Sequence, residues 1–344
     1  MDEKQYLIHM PKIDLHRHLE GSIRLQTYWE EATRQGLELP TTAMETMKPY
    51  LSYTDGEERS LVQFLTKFTW LRKILTNAET LARVTYESLE DVWRDGAVYA
   101  ELRFNPAGMF QMGMQEDEIA SGIREGLRLA SRDFGIKATT ICGIARDRGL
   151  EIAERTAALS IRYAGDIISG MDLFSNEAFP AAPFQPLFEK ARAAGLHLTV
   201  HAGEAQGENL GAKNVKEAIL MGAERIGHGV RIMEDPSVVE LAKEKQVLLE
   251  MCPTSNYQTG AVAELSNHPL PLLLKKGVHA CVSTDDPAVS DTCLTTEYHV
   301  ANTVLGISAK DLAATVLDSC DYLFDDSAIA PIKAIMNNYM QTTF

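Results

Sequence analysis

A chain of 344 residues with 45% hydrophobic residues is long enough to bury a large core and too apolar to remain disordered. Its formal net charge of −15 argues against a nucleic-acid partner, because phosphate-backbone binding relies on clustered Lys and Arg to release counterions. Five cysteines with no Cys-x-x-Cys pair argue against both a disulfide framework and a thiolate zinc site.

In chain order, short apolar runs at Lys12–Leu19, Ala97–Asn105, Ile136–Ala145, Ile167–Leu173, Leu196–Gly203, Arg225–Gly229, Gln246–Cys252 and Val278–Thr284 predict eight strands. Between them, amphipathic stretches predict helices at Glu116–Phe134, Gly149–Tyr163, Phe184–Ala194, Val215–Met221, Pro236–Glu244 and Pro269–Lys276. Strand and helix alternate, which calls for a parallel sheet, and eight such units are the number that closes a (β/α)8 barrel of the TIM type. The first and second strands are separated by far more chain than one crossover needs. Helical patterns there at Arg24–Gln35, Leu61–Leu75 and Thr80–Arg94 predict an insertion over the barrel mouth, and further helices follow Asp291. No repeat, low-complexity tract or Gly/Ser linker divides the chain, so residues 1–344 are expected to form one domain. The first residues lack a basic-then-apolar leader, and no apolar run approaches the roughly 18 residues of a membrane span. A cytoplasmic protein acting on a small molecule, with no membrane partner, is the expectation.

Metal-capable residues stand at the ends of four of these strands. Residues i and i+2 of a strand share a side, so His16 and His18 can both face the barrel axis. Catalytic zinc takes nitrogen and carboxylate ligands and keeps a position for water. His201 after the fifth strand and Asp285 after the eighth complete such a set, because barrel sites assemble from the C-terminal ends of different strands. Glu204, three residues beyond His201, is placed to donate a proton to a substrate nitrogen if its pKa is raised. His228, between two glycines, is placed to orient or deprotonate the attacking water, and Asp285 can both bind the metal and accept a proton. His9, His197, His268, His279 and His299 lack such surroundings and are assigned structural roles.

The segments Pro11–Ser22 (PKIDLHRHLEGS), Val200–Glu204 (VHAGE), Arg225–Val230 (RIGHGV), Cys252–Asn256 (CPTSN) and Ser283–Pro287 (STDDP), in this order, resemble the adenosine deaminase family of metal-dependent amidohydrolases. The resemblance runs from about residue 11 to the C-terminal helices. It implies one zinc on His16, His18, His201 and Asp285, with Glu204 protonating purine N1 and His228 assisting the water that attacks C6 as ammonia leaves. It also implies that Asp286 contacts purine N7 and that Leu61, Phe64, Leu65 and Phe68 form a hydrophobic lid over a 6-aminopurine nucleoside, with His18 facing it as well. Adenosine and 2′-deoxyadenosine are the expected substrates.

Three departures bear on substrate choice. Where the family usually reads Asp-Leu-Ala-Gly-Asp-Glu, this chain has Asp172-Leu173-Phe174-Ser175-Asn176-Glu177. Ser175 can still offer its N–H to purine N3, but its side chain is expected to remove the positive-φ freedom of glycine. Glu20 replaces the aspartate that reaches the ribose 5′-hydroxyl, one methylene longer. The loop Ala205–Asn214 is expected to be longer than usual. Relatives acting on free adenine or on modified nucleosides such as aminodeoxyfutalosine are the alternative. A two-metal barrel hydrolase would want a bridging Lys at the fourth strand end, where Met171-Asp172-Leu173 stands instead. The Cys-rich pattern of the cytidine-deaminase type is absent as well.

Overall fold

The computed structural model describes residues 3–207 and 210–343. Eight parallel strands, β1 (Lys12–His18), β2 (Ala97–Phe104), β3 (Lys137–Ala145), β4 (Ile168–Phe174), β5 (His197–Ala202), β6 (Arg225–His228), β7 (Leu248–Met251) and β8 (His279–Val282), lie side by side in sequence order. The seam between β8 and β1 closes at its C-terminal end. There Asp285 N–H donates to His16 O at 2.7 Å, and His18 N–H donates to Asp285 O at 2.8 Å. Thr284 adds its hydroxyl to the Asp14 carboxylate at 2.6 Å. The (β/α)8 expectation therefore holds, and the barrel is sealed by the residues expected to bind metal.

Strands buried on both faces normally read as continuous apolar runs. Here every residue of β1 is buried although Lys12, Asp14, His16 and His18 alternate along it. Ile13 and Leu15 join the apolar core, and a register shift between Asp14 and Arg17 breaks the alternation, so that His16 turns to Glu250 in a polar barrel interior while Asp14 meets Thr284 and Arg17 reaches Ser88. A column of buried ion pairs fills that interior. Arg225 Nη2 lies 2.5 Å from Glu101 and its Nε 2.7 Å from Glu250, while Arg103 Nη2 lies 2.5 Å from Glu250 and its Nη1 3.0 Å from Asp172. Removing one member would strand the others as uncompensated buried charge, so the column fixes the side chains above it.

The insertion after β1 does not form the single helix expected over Leu61–Leu75. It breaks into helices Leu61–Leu65 and Phe68–Leu71 and a 3-10 turn Arg72–Ile74. Lys67, at the break, is drawn inward to Glu57 at 2.7 Å and to Pro49 O at 2.8 Å, which a continuous exposed helix would not allow. The expected loop Ala205–Asn214 is also shorter than its sequence suggests, because helix Leu210–Leu220 begins five residues before the predicted Val215. Within it, Glu208 and Asn209 lie outside the described residues. Among the described residues no helix is long and apolar enough to cross a membrane.

Candidate active site

The structure brings the four expected metal ligands to one point. Catalytic zinc holds its ligands at about 2.0–2.1 Å, so the edges of a tetrahedral set measure about 3.3–3.4 Å. His18 Nε2 and His201 Nε2 are 3.1 Å apart, His16 Nε2 and Asp285 Oδ1 3.3 Å, and His18 Nε2 and Asp285 Oδ1 3.4 Å. His16 Nε2 is buried and has no hydrogen-bond partner. An orphaned ring nitrogen beside donors whose three shortest spacings come close to a tetrahedral edge fits a cation.

The ring orientations are set from behind. Glu250 accepts from His16 Nδ1 at 2.7 Å, and Asp172 lies 3.0 Å from His201 Nδ1, so the lone pairs of both imidazoles point from Nε2 into the site. Ser255 donates to Asp285 Oδ2 at 2.6 Å, leaving Oδ1 for the cation. Gly227 makes the cluster possible, since a Cβ there would stand 2.8 Å from His16 Cε1 and 3.1 Å from His201 Cγ. At Gly21 a Cβ would stand 1.8 Å from Asp286 Oδ1. His228 and Asp285 both hold positive φ, 65° and 61°, a conformation that costs non-glycine residues energy and clusters at functional sites.

His228 also falls within 4.8 Å of His16, His201 and Asp285, so proximity alone would count it as a ligand. Its Nδ1 is taken up by Asn256 at 3.0 Å, and its Nε2 lies 3.6 Å from Glu204 Oε2. Burial pushes its imidazole down to about 4. Glu204 is carried by a tight turn in which Gly203 N–H and Glu204 N–H both donate to Glu177 at 2.9 Å. Burial first, then the Asp285 and Glu177 charges, raise the Glu204 carboxyl well above its ordinary value. Asp286 is raised in the same way by burial and by Asp285, and its buried Oδ1 has no partner. Burial also opposes ionisation of Asp285, but His16 and the flanking imidazoles outweigh it and hold that carboxylate low. Two carboxyls pushed up beside one held low are set apart by environment, the usual sign of an acid–base division.

These groups open into one cleft enclosing about 510 Å³, its mouth included. Every residue expected to touch substrate lines it: His18, Glu20, Leu61, Phe64, Leu65, Phe68, Ser175 and Asp286. Ser175 corrects an expectation, for it adopts φ of 77° despite its side chain. Glu20 is buried, and its Oε1 accepts from Asn105 N–H at 2.8 Å. Arg72 lines the same cleft, its Nε buried without a partner, and went unnoticed in the sequence although it continues the stripe of Leu61, Leu65 and Phe68 at helical spacing. Arg103 and Glu250 were missed too, and Asp172 and Glu177 stood in a recognised segment without a role. Among the histidines given structural roles, His197 pairs with Glu224 at 2.7 Å and His279 with Asp318 at 2.5 Å, whereas His268 lies behind the site against Asn256 at 3.1 Å.

The adenosine deaminase family profile matches residues 11–327. A protein of Klebsiella pneumoniae (strain 342) named adenosine deaminase is 39% identical over 318 residues, 92% of this chain and 94% of its own. The crystal structure of adenine deaminase from Arthrobacter aurescens is similar with a TM-score of 0.88 at 29% identity, covering 96% of this chain and 99% of that one. An N6-methyl-AMP deaminase from Arabidopsis thaliana has a TM-score of 0.84 at 27% identity, covering 97% and 98%. The chain belongs to the adenosine deaminase family and is one of its metal-dependent hydrolytic deaminases.

Proposed function

We propose that the protein catalyses zinc-dependent hydrolytic deamination of adenosine and 2′-deoxyadenosine, releasing ammonia and leaving inosine or its deoxy counterpart. The observation that carries this reading is the buried Glu204 carboxyl, pushed up by burial and by the Asp285 and Glu177 charges, lining the same cleft as His18, His201 and Asp285. One zinc held there supplies Lewis acidity, lowering the pKa of a water towards ~7.

The chain's own residues then divide the work. Attack on purine C6 pushes electron density onto N1, and Glu204 delivers its proton there. Asp286, kept protonated, donates to N7, and the Ser175 N–H serves N3. Asp285 accepts the proton released by the attacking water, and His228 orients that water. Leu61, Phe64, Leu65 and Phe68 cover the base and exclude bulk water, which strengthens each of these interactions. Glu20 reads the 5′-hydroxyl of the ribose.

A second reading, deamination of free adenine or of a nucleoside modified at its 5′ end, is favoured by Glu20 and by the partnerless Arg72 nitrogen beside it. Likeness to the Arthrobacter adenine deaminase supports it as well. The test is an ultraviolet assay of kcat/KM on adenosine, 2′-deoxyadenosine, adenine, N6-methyl-AMP and a 5′-extended adenosine. The first two are expected to lead. Preference for adenine or for a 5′-extended substrate would replace the nucleoside assignment by the second reading.

A further inference from the structure

His228 stands at the end of a hydrogen-bond chain that starts from a backbone amide. The Leu270 N–H donates to His268 Nδ1 at 3.3 Å. A backbone N–H can only donate, so that nitrogen carries a lone pair and neutral His268 keeps its proton on Nε2. His268 Nε2 lies 3.1 Å from Asn256 Oδ1, and the Cys252 N–H donates to the same oxygen at 3.3 Å. Two donors on one atom identify it as the amide oxygen, so the other end of Asn256 is its NH2 group. That group lies 3.0 Å from His228 Nδ1. An amide NH2 only donates, so His228 Nδ1 holds the lone pair and the ring proton sits on Nε2. His228, Asn256 and His268 are all buried, and no competing partner of either ring nitrogen of His268 is seen among the described residues.

We infer that Asn256 and His268 are positioning residues that hold His228 as its Nε2–H tautomer, so that His228 donates a hydrogen bond to the attacking oxygen and takes no proton from it. Accepting a proton would fail at either nitrogen. Nε2 is already filled, and a proton on Nδ1 would face the Asn256 NH2 with donor against donor. His228 therefore acts like a fixed oxyanion donor, aimed by two side chains that touch no substrate. The tautomer follows from the hydrogen bonds alone, and its kinetic consequence rests on the deaminase reading above.

Asn256→Asp tests this, because a carboxylate accepts from Nδ1–H and turns a lone pair of Nε2 towards the site. The zinc-loaded enzyme would be labelled with 15N-histidine and the His228 signals assigned by their loss in His228→Gln. The expected spectrum of the unmodified protein has a protonated Nε2 and a pyridine-like Nδ1, and Asn256→Asp exchanges the two. On the best 6-aminopurine substrate, Asn256→Asp is expected to lower kcat by about 10²–10³-fold, the scale for losing one preorganised donor, with KM and zinc content little changed. His268→Gln, which keeps a donor for the Asn256 oxygen, is expected to leave Nε2 of His228 protonated in the same spectrum, and a protonated Nδ1 there would overturn the role of that donor. A protonated Nδ1 in the unmodified protein would overturn the inference. So would Asn256→Asp that exchanges the tautomer and keeps full kcat. The spectrum of the unmodified protein decides the tautomer by itself, so a variant that does not fold leaves the test standing. Absence of turnover on every 6-aminopurine would count against the deaminase reading and not against the tautomer.

Discussion

Glu204 and Ser175 concentrate the chemistry and the strain of this site in single side chains. Glu204 is buried beside two other carboxyls, which pushes its carboxyl up, and it lines the cleft as a candidate proton source. Glu204→Gln keeps size and neutrality but has no proton to deliver, so kcat is expected to fall by at least ~100-fold with metal retained. Steady-state kinetics with metal analysis check this, and near-normal turnover would assign the proton elsewhere. Ser175 at φ of 77° pays the cost of a left-handed backbone that glycine does not. Ser175→Gly removes about 1–2 kcal/mol of strain, and the freer unfolded chain takes back about 0.5–1 kcal/mol. A net gain of about 0–1.5 kcal/mol is expected in urea unfolding, and a lower midpoint would mean that the serine side chain holds the turn together. At this scale the four expected ligands were readable because a strand-end pattern announces itself locally. Glu250, Asp172 and Arg103 were not, since they come from three different strands and meet only across the barrel axis. The i, i+2 alternation of Glu101 and Arg103 on β2 was the signal that an inward polar face existed there.

Strand and helix positions were legible wherever period and length agreed, and they failed where a tertiary contact overrode the pattern. Lys67 carries the lid segment inward and breaks a helix that its apolar spacing supports. The lid residues nonetheless reach the cleft, because the broken helix keeps Leu61, Leu65 and Phe68 on one side. A second contact between elements carries a pH dependence. Glu297, on helix Leu294–Thr303, accepts from the Thr254 N–H at 3.0 Å and so ties down the helix Pro253–Gln258, which bears Ser255 and Asn256. Burial first raises the Glu297 carboxyl to about 7, against the hydrogen bonds from Thr254 and Thr292. A carboxyl whose folded pKa lies above its unfolded value stabilises the fold fully below the unfolded value, near 4.5, and that contribution is lost as pH rises through about 7. Glu297→Gln, neutral at every pH, is therefore expected to lose less stability than the unmodified protein between pH 5 and 8. Parallel urea titrations across that range measure it, and identical slopes would mean that Glu297 is ionised throughout.

Over the whole molecule, the barrel is closed at β8 and β1 by the backbone of its own ligand-bearing residues, and its interior is an ionic column that ends beneath the imidazoles. Folding and assembly of the site are thus one event, since the seam cannot close without bringing Asp285 against His16 and His18. The alternation of strand and helix made the barrel legible from sequence, whereas the polar interior ran against the apolar filling that a barrel usually has. The most direct test of the central claim is a zinc titration of chelator-stripped protein, following adenosine turnover against equivalents of metal added. Turnover is expected to be negligible without metal and to rise linearly to a break at one equivalent, matching one zinc on His16, His18, His201 and Asp285. Full turnover in the stripped protein, or a break at two equivalents, would contradict it.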